Sequence, residues 1–269
     1  MNEMSNRNNP AFLSGVVPFL DAWDARHLPR ALRLYLTDQV ALRLVNQLGE
    51  FGIVVGISHN LATIKALQLA AARWPRLAEP CDPELNPSAG PHDTFAIILR
   101  RENQPVGCAA MRLKRLEGSL SEHIASQSLL AERPDLLPVG QRFRASGFVE
   151  KIADVPIAWG SSLWADTNVP KTMVPTLMRL LHLYTFAHWF WSYSVSIAQP
   201  RVADHYGLDV HGYEMVTTFA RRYSAEGAAT DYRILIACRD HVRRMVQHPG
   251  YVDLSVDLSS LDLSESHVA

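Results

Sequence analysis

The stretch that decides the fold is IAWGSSLWADTNVPKTMVPTLMRLLHLYTFAHWFWSYSVSIAQPRVADHYGLDVHGYE, Ile157 to Glu214. Ile157 to Ala165 is a strand-like run interrupted by Gly160, Ser161 and Ser162, the pattern of a β-bulge or of a close backbone approach. Asp166, Thr167 and Asn168 followed by Pro170 make a helix start, with short polar caps and a proline where no hydrogen bond is displaced. Leu177, Leu180, Leu181, Tyr184 and Ala187 then fall at helical spacing, so one stripe of this helix needs a cover. Trp191 to Ala198, WSYSVSIA, is β-branched, aromatic and too short for a helix; it reads as a strand parallel to the bulged one, the helix being the crossover. Pro200 opens a further short helix. Parallel strands whose pairing is broken by a bulge should splay, and a splay makes a slot.

Outward from this βαβ unit, Thr94 to Leu116 holds two apolar runs around Glu102, Asn103 and Gln104, an antiparallel hairpin. Tyr213 to Tyr223 and Asp231 to Arg239 predict a second one. Leu28 to Phe51 repeats apolar residues at three-four spacing and predicts an amphipathic helix ended by Gly49 or Gly52, its stripe set against the sheet or against a second subunit of a homodimer. Ile53 to Ser58 is a short buried strand, followed by a helix from Asn60 to about Trp74. Pro80 to Pro91 reads as a long loop, a mobile surface connection or else a lid or binding segment, Ser119 to Glu132 as a helix, and Arg142 to Val155 as strand or loop. The economical division is a polar leader over 1–27, one domain over 28–250 and an acidic tail over 251–269.

With 269 residues and 48% hydrophobic composition, the chain can fill a large core. A net charge of -1 gives no basic surplus for a nucleic-acid backbone. Three scattered cysteines outside any CxxC pair suit a reducing compartment and build no metal site. No uninterrupted apolar stretch reaches membrane-span length, so the expectation is a cytoplasmic protein. His182 and His188, like His205 and His211, have no metal-ligand spacing and read as packed or surface histidines. Hydrolase elbow and Walker motifs are absent from the sequence.

The order strand, helix, hairpin, inserted helix, bulged strand, crossover helix, strand, short helix, hairpin resembles the GNAT acyltransferase superfamily over roughly Ile53 to Arg239, above all at QPRVADHY, Gln199 to Tyr206. In that family an Asn commonly stands seven residues before a Tyr, and Gln199 and Tyr206 hold those positions. The long insert from Arg112 to Phe143 looks more like the N-acyl amino acid synthase and acyl-homoserine lactone synthase branch. The resemblance implies an α+β fold, a twisted mixed sheet with helices on both faces and a bulged, splayed strand in the central βαβ unit. It also implies an N-acyltransferase that moves an acyl group from a thioester donor, acyl carrier protein or acyl-CoA, to an amine of a small molecule, with no tightly bound cofactor. Donor-binding positions would be Ser161, Ser162, Leu163, Trp164, Lys171 and Gln199. For the chemistry, a bulge amide would face the oxyanion. Tyr206, with a phenol pKa near ~10 against ~8.5 for a thiol, would hydrogen-bond or protonate the leaving thiolate. Glu150, Asp154 and Asp166 are candidate bases.

One departure from the family matters. Its pyrophosphate-binding glycine loop would fall at NVPKTMVPTL, Asn168 to Leu177, which has no glycine. Side chains such as Met173 and Val174 would obstruct backbone approach, and Lys171 would restore some attraction as a point charge. Either the donor has no pyrophosphate to hold, as with an acyl carrier protein, or the protein is a non-catalytic, GNAT-like ligand-binding or regulatory protein. Leu181, Tyr184, Phe186, Trp189, Phe190 and Trp191 are candidates to line an acyl pocket or to be ordinary core.

Overall fold

In the computed structural model, residues 28–70, 82–137, 140, 142–166, 168–170, 173–198, 200, 215–223, 227 and 229–247 are described. The leader, the tail, Cys81, Lys171, Gln199, the short helix expected after Pro200 and Tyr206 lie outside them. The elements are α1 (Leu28–Glu50), β1 (Ile53–Ser58), α2 (Leu61–Ala70), β2 (Thr94–Arg101), β3 (Gln104–Arg115), α3 (Leu120–Ala125), β4 (Arg142–Ala145), β5 (Pro156–Ala165), α4 (Met173–His188), β6 (Tyr193–Ala198), β7 (Met215–Tyr223), β8 (Ala229–Cys238) and α5 (Arg239–Gln247). All eight strands join one sheet in the order β1-β2-β3-β5-β6-β8-β7-β4. Among the described residues only β5 and β6 pair in parallel, joined by α4 as the crossover. The mixed α+β architecture, with helices on both faces, is therefore the expected one.

Side-chain alternation assigns each strand residue to a face. Phe95, Ile97 and Leu99 of β2 and Ala109 and Met111 of β3 enter one large cluster with α1 and α4. Ala96, Ile98, Cys108 and Ala110 point the other way, onto Leu61 and Ile64 of α2. Beside them on that second face, Leu120 and Ile124 of α3 pack with Ile157, Trp159, Val195 and Ile234. On the first face α4 is buried all round, every residue from Met173 to Ala187. A crossover helix this apolar needs more than the sheet to cover it. Ala41, Leu44, Val45 and Leu48 of α1 and Val242 of α5 supply the rest. The α1 stripe thus covers α4 and the sheet. Its helix stops at Glu50, and Gly52 takes φ +69, the left-handed turn that favours glycine.

The β2–β3 hairpin turns on Glu102 and Asn103, both with positive φ (50 and 64), as a two-residue loop demands. Arg239, at the start of α5, caps the far end of α4. It donates to the Trp189 and Phe186 carbonyls (3.0 and 2.9 Å) and lies over the Phe186 ring at 4.6 Å.

Three local expectations need correcting. The helix predicted over Ser119 to Glu132 stops at Ala125, because Gln127 adopts φ +63 and breaks the turn. The Pro80–Pro91 segment, where described, is pinned rather than a free surface connection. Asn86 is fully buried in it and Asp82 nearly so. Helix α5, Arg239–Gln247, is an element that the sequence reading ended on a strand.

Candidate functional site

The bulge and the splay both exist, and at the expected place. Against β3, Ser161 pairs with Ala110 and Trp164 with Cys108, so the single residue Ala109 faces both Ser162 and Leu163. An extra residue of this kind is left out of the ladder. Face assignments confirm it. Before the bulge Ala158 belongs to the α4 side and Trp159 to the α3 side; after it Leu163 and Ala165 are on the α4 side and Trp164 on the α2 side. The parity has shifted by one. On its other edge β5 pairs with β6 only from Ile157–Tyr193 to Gly160–Ser196, although β5 continues to Ala165 and β6 to Ala198. The two strands part at the bulge, and the Ser196 hydroxyl closes the fork by donating to the Gly160 carbonyl at 3.2 Å.

Gly107 permits the packing at this end. A Cβ there would stand 3.1 Å from Met173 Cε and 3.4 Å from the Trp164 carbonyl oxygen. Met173 is itself wholly buried in the core and Val174 is buried beside it, so neither side chain stands outward across the helix start as the sequence reading had it. Glycine in β3 allows Met173 to turn inward.

The predicted donor-site residues Ser161, Ser162, Leu163 and Trp164 all fall in the splayed half of β5. Asp166 follows at the same end, its amide bonded to the Val106 carbonyl (2.8 Å) and its carboxylate accepting from the Asn168 amide (3.4 Å). The other two acids lie elsewhere. Asp154 accepts from the Gly118 amide at 2.8 Å and Glu150 from the Gly147 amide at 3.4 Å, both ahead of β5. From Pro156 to Leu163 the strand rises about 23 Å, so the structure does not bring Glu150 or Asp154 to the bulge.

The aromatic residues named for an acyl pocket mostly fill the core at the opposite end of α4. Phe95 packs on Tyr184 (ring centroids 4.2 Å apart) and on Trp189 (5.1 Å), and only Phe190 faces outward, 74% exposed. Here the structure adds a pair that sequence spacing did not reveal. His59 Nδ1 donates to the Thr94 carbonyl (3.0 Å), which can only accept. In the neutral ring Nε2 is then bare, and it accepts from the Tyr184 hydroxyl at 3.0 Å. Burial pushes the Tyr184 phenol up to about 12, so it stays a neutral donor.

A second unforeseen cluster lies on the opposite face. Arg112, 3% exposed, donates to Asn86 Oδ1 (2.6 Å), Asp93 Oδ2 (3.3 Å), Ser88 Oγ (3.3 Å) and Glu132 Oε1. Next on that face, Lys114 donates to the Ser128 and Leu129 carbonyls (2.9 and 2.8 Å), and burial pushes its ammonium down to about 8. The signal for both was visible: charged residues inside the apolar run AAMRLKR. A shallow cavity of about 680 Å³ lies between α3, β4, β7 and β8, but its acids are engaged, Glu122 with the Ser119 amide and Asp231 with Arg221. His182, fully buried, bonds the Ser194 hydroxyl at 3.0 Å, as a packed histidine should. Among the described residues no cluster of three metal-ligating side chains occurs, and no helix is long and apolar enough to cross a membrane.

No protein-family model matches the sequence, and no curated protein does. Among solved structures the chain is similar to FeeM, an N-acyl amino acid synthase from uncultured soil microbes, at 11% identity and TM-score 0.40, over 71% of this chain and 98% of that one. It is similar to the aminoglycoside acetyltransferase AAC(6')-Ib solved with coenzyme A and kanamycin, at 14% identity and TM-score 0.38, over 71% and 98%. A third is the AHL synthase LasI, at 12% identity and TM-score 0.37, over 68% and 89%. Likenesses of this size transfer no residue role. The chain's own strand order, single parallel pair, bulge and fork are what make the fold GNAT-like.

Proposed function

We propose that this protein is an N-acyltransferase that takes an acyl group from a thioester donor, acyl-CoA or acyl carrier protein, and places it on an amine of a small molecule in the fork between β5 and β6. One observation carries the reading. The parallel ladder ends at Gly160–Ser196, two residues before the bulge at Ser162 and Leu163, and the β5–β6 register does not extend over Ser162 to Ala165. A thioester carbonyl lying there would meet a backbone N–H that the ladder does not use, fixed in place before the reaction.

The amine nitrogen attacks the thioester carbonyl, the C–N bond forms, and the C–S bond breaks. Asp166, the candidate acid at the forked end, takes the amine proton. Tyr206 gives a proton to the departing thiolate, leaving amide and thiol; the two side chains reset by proton exchange with solvent. The alternative is a ligand-binding protein with the same fork and no turnover.

The test is acyl transfer to a panel of amino acids and amines from both CoA and carrier-protein thioesters, wild type beside Tyr206→Phe. Turnover should fall roughly 10²-fold or more in the variant with little change in folding stability. An equally active variant removes Tyr206 from the mechanism. A wild type inactive across the panel, yet stabilised by a long-chain thioester, selects the binding-protein alternative.

A further inference from the structure

Arg101 closes β2 on the face that carries α4 and reaches the connection between β5 and α4. There Nη1 donates to the Asn168 carbonyl at 3.5 Å, the outer limit of a hydrogen bond, and Nε is buried with no partner. Among the described residues no carboxylate pairs with it, and its sequence neighbour Glu102 sits in the hairpin turn without reaching it. A partly buried guanidinium held by one long bond to a neutral oxygen is under-satisfied, since planar forks of this kind match phosphate and carboxylate oxygens two at a time.

Its distance from the fork is set by strand register. Leu163 faces Ala109, and Ala109 faces Ile97. Arg101 is four residues further along β2 and two strands across from β5. With rises of about 3.3 Å and strand spacings of about 4.8 Å, the separation is roughly 16 Å. An extended phosphopantetheine arm covers a comparable span from sulfur to phosphate.

We propose that Arg101 is the anion anchor of the donor, holding the phosphate at the far end of the pantetheine arm while the thioester lies at the bulge. This rests on the fork being the thioester site. It explains how a chain whose crossover helix starts without glycine can hold its donor: a side-chain cation from the neighbouring hairpin takes the place of backbone amides. The recognised chemistry is one phosphate ester, common to coenzyme A and to the prosthetic arm of a carrier protein.

The experiment measures binding of 4'-phosphopantetheine, pantetheine and coenzyme A by calorimetry to wild type, Arg101→Gln, Arg101→Lys and Arg115→Gln, the last an exposed arginine at the opposite end of the hairpin. Wild type should bind phosphopantetheine at least tenfold more tightly than pantetheine. Arg101→Gln should bring that ratio close to one, Arg101→Lys should keep part of it, and Arg115→Gln should keep all of it. Coenzyme A should bind no more than a few-fold more tightly than phosphopantetheine. A wild-type ratio near one, a ratio undiminished in Arg101→Gln, or coenzyme A binding tenfold or more above phosphopantetheine overturns the assignment. Turnover of a long-chain N-acetylcysteamine thioester, which carries no phosphate, is read in parallel. Activity there with no phosphate preference sinks the anchor alone, whereas a phosphate preference with no turnover from any donor sinks the transferase reading alone.

Discussion

The two faces of the sheet are closed by opposite means. Under α4 lies one continuous apolar cluster, joined by α1 and α5, with a helix buried on every side. The other face carries two smaller apolar clusters, under α2 and α3, with a polar seam around Arg112 and Lys114 between them. Apolar burial is strong and non-directional; it says that α4 must be covered and leaves the covering loops free to vary. Hydrogen bonds from a buried guanidinium are directional. The Arg112 fork therefore specifies where the 82–93 segment and the chain around Glu132 lie, and turns a loop with turn-forming composition into a fixed part of the domain.

That contrast can be broken from either side. The largest effect is expected from Leu177→Ala, which opens a cavity at a fully buried position of α4 and should cost roughly 4 kcal/mol in urea unfolding. Arg112→Ala should cost about 3 kcal/mol, the low end for a broken buried ion pair, because Asp93 and Glu132 keep 30% and 27% of their side chains exposed. Limited proteolysis sharpens the comparison. Cleavage within 82–93 should accelerate in Arg112→Ala and stay at its wild-type rate in Leu177→Ala under native conditions; equal acceleration in both would mean that the seam does not hold the loop locally.

Smaller changes test the same division. Tyr184→Phe keeps the ring packed on Phe95 and deletes the hydrogen bond to His59, so about 1 kcal/mol should be lost. The smallest expected effect is a pH dependence confined to the seam. Burial pushes the Glu132 carboxyl up, but hydrogen bonds from Ser88 and Arg112 outweigh it and hold the group below the usual carboxylate range. A carboxyl with a depressed folded pKa stabilises the native state above its unfolded value, about 4.3, and loses that contribution as pH falls through the folded value. Stability measured from pH 6 to pH 3 should fall less steeply in Glu132→Gln than in wild type. Identical slopes would remove Glu132 from the acid response.

Much of this was legible because the relevant signals are local. Gly160, Ser161 and Ser162 inside an apolar run located the bulge, and the register with β3 places the extra residue at Ser162 and Leu163. The hairpin at Glu102 and Asn103 was equally plain. The short α3 was not, since nothing in SLSEHIASQSLL announces that Gln127 will turn left-handed. Of the candidate bases, Glu150 and Asp154 looked close to the bulged strand because sequence distance was short, yet an extended strand carries its two ends further apart than any other element.

The sequence by itself determined the period of each element, the βαβ unit, the break in its pairing and the absence of a glycine loop at the crossover helix, because strand and helix periodicity, capping and turn chemistry act over a few residues. Tertiary structure alone decided which polar groups meet. Arg112 reaches across to Asn86 and Glu132, His59 to Tyr184, and Arg101 to the chain at Asn168, partners separated by 26, 20, 125 and 67 positions. Such pairs depend on strand order and on how the helices and loops pack on the sheet, and no window of the chain contains either.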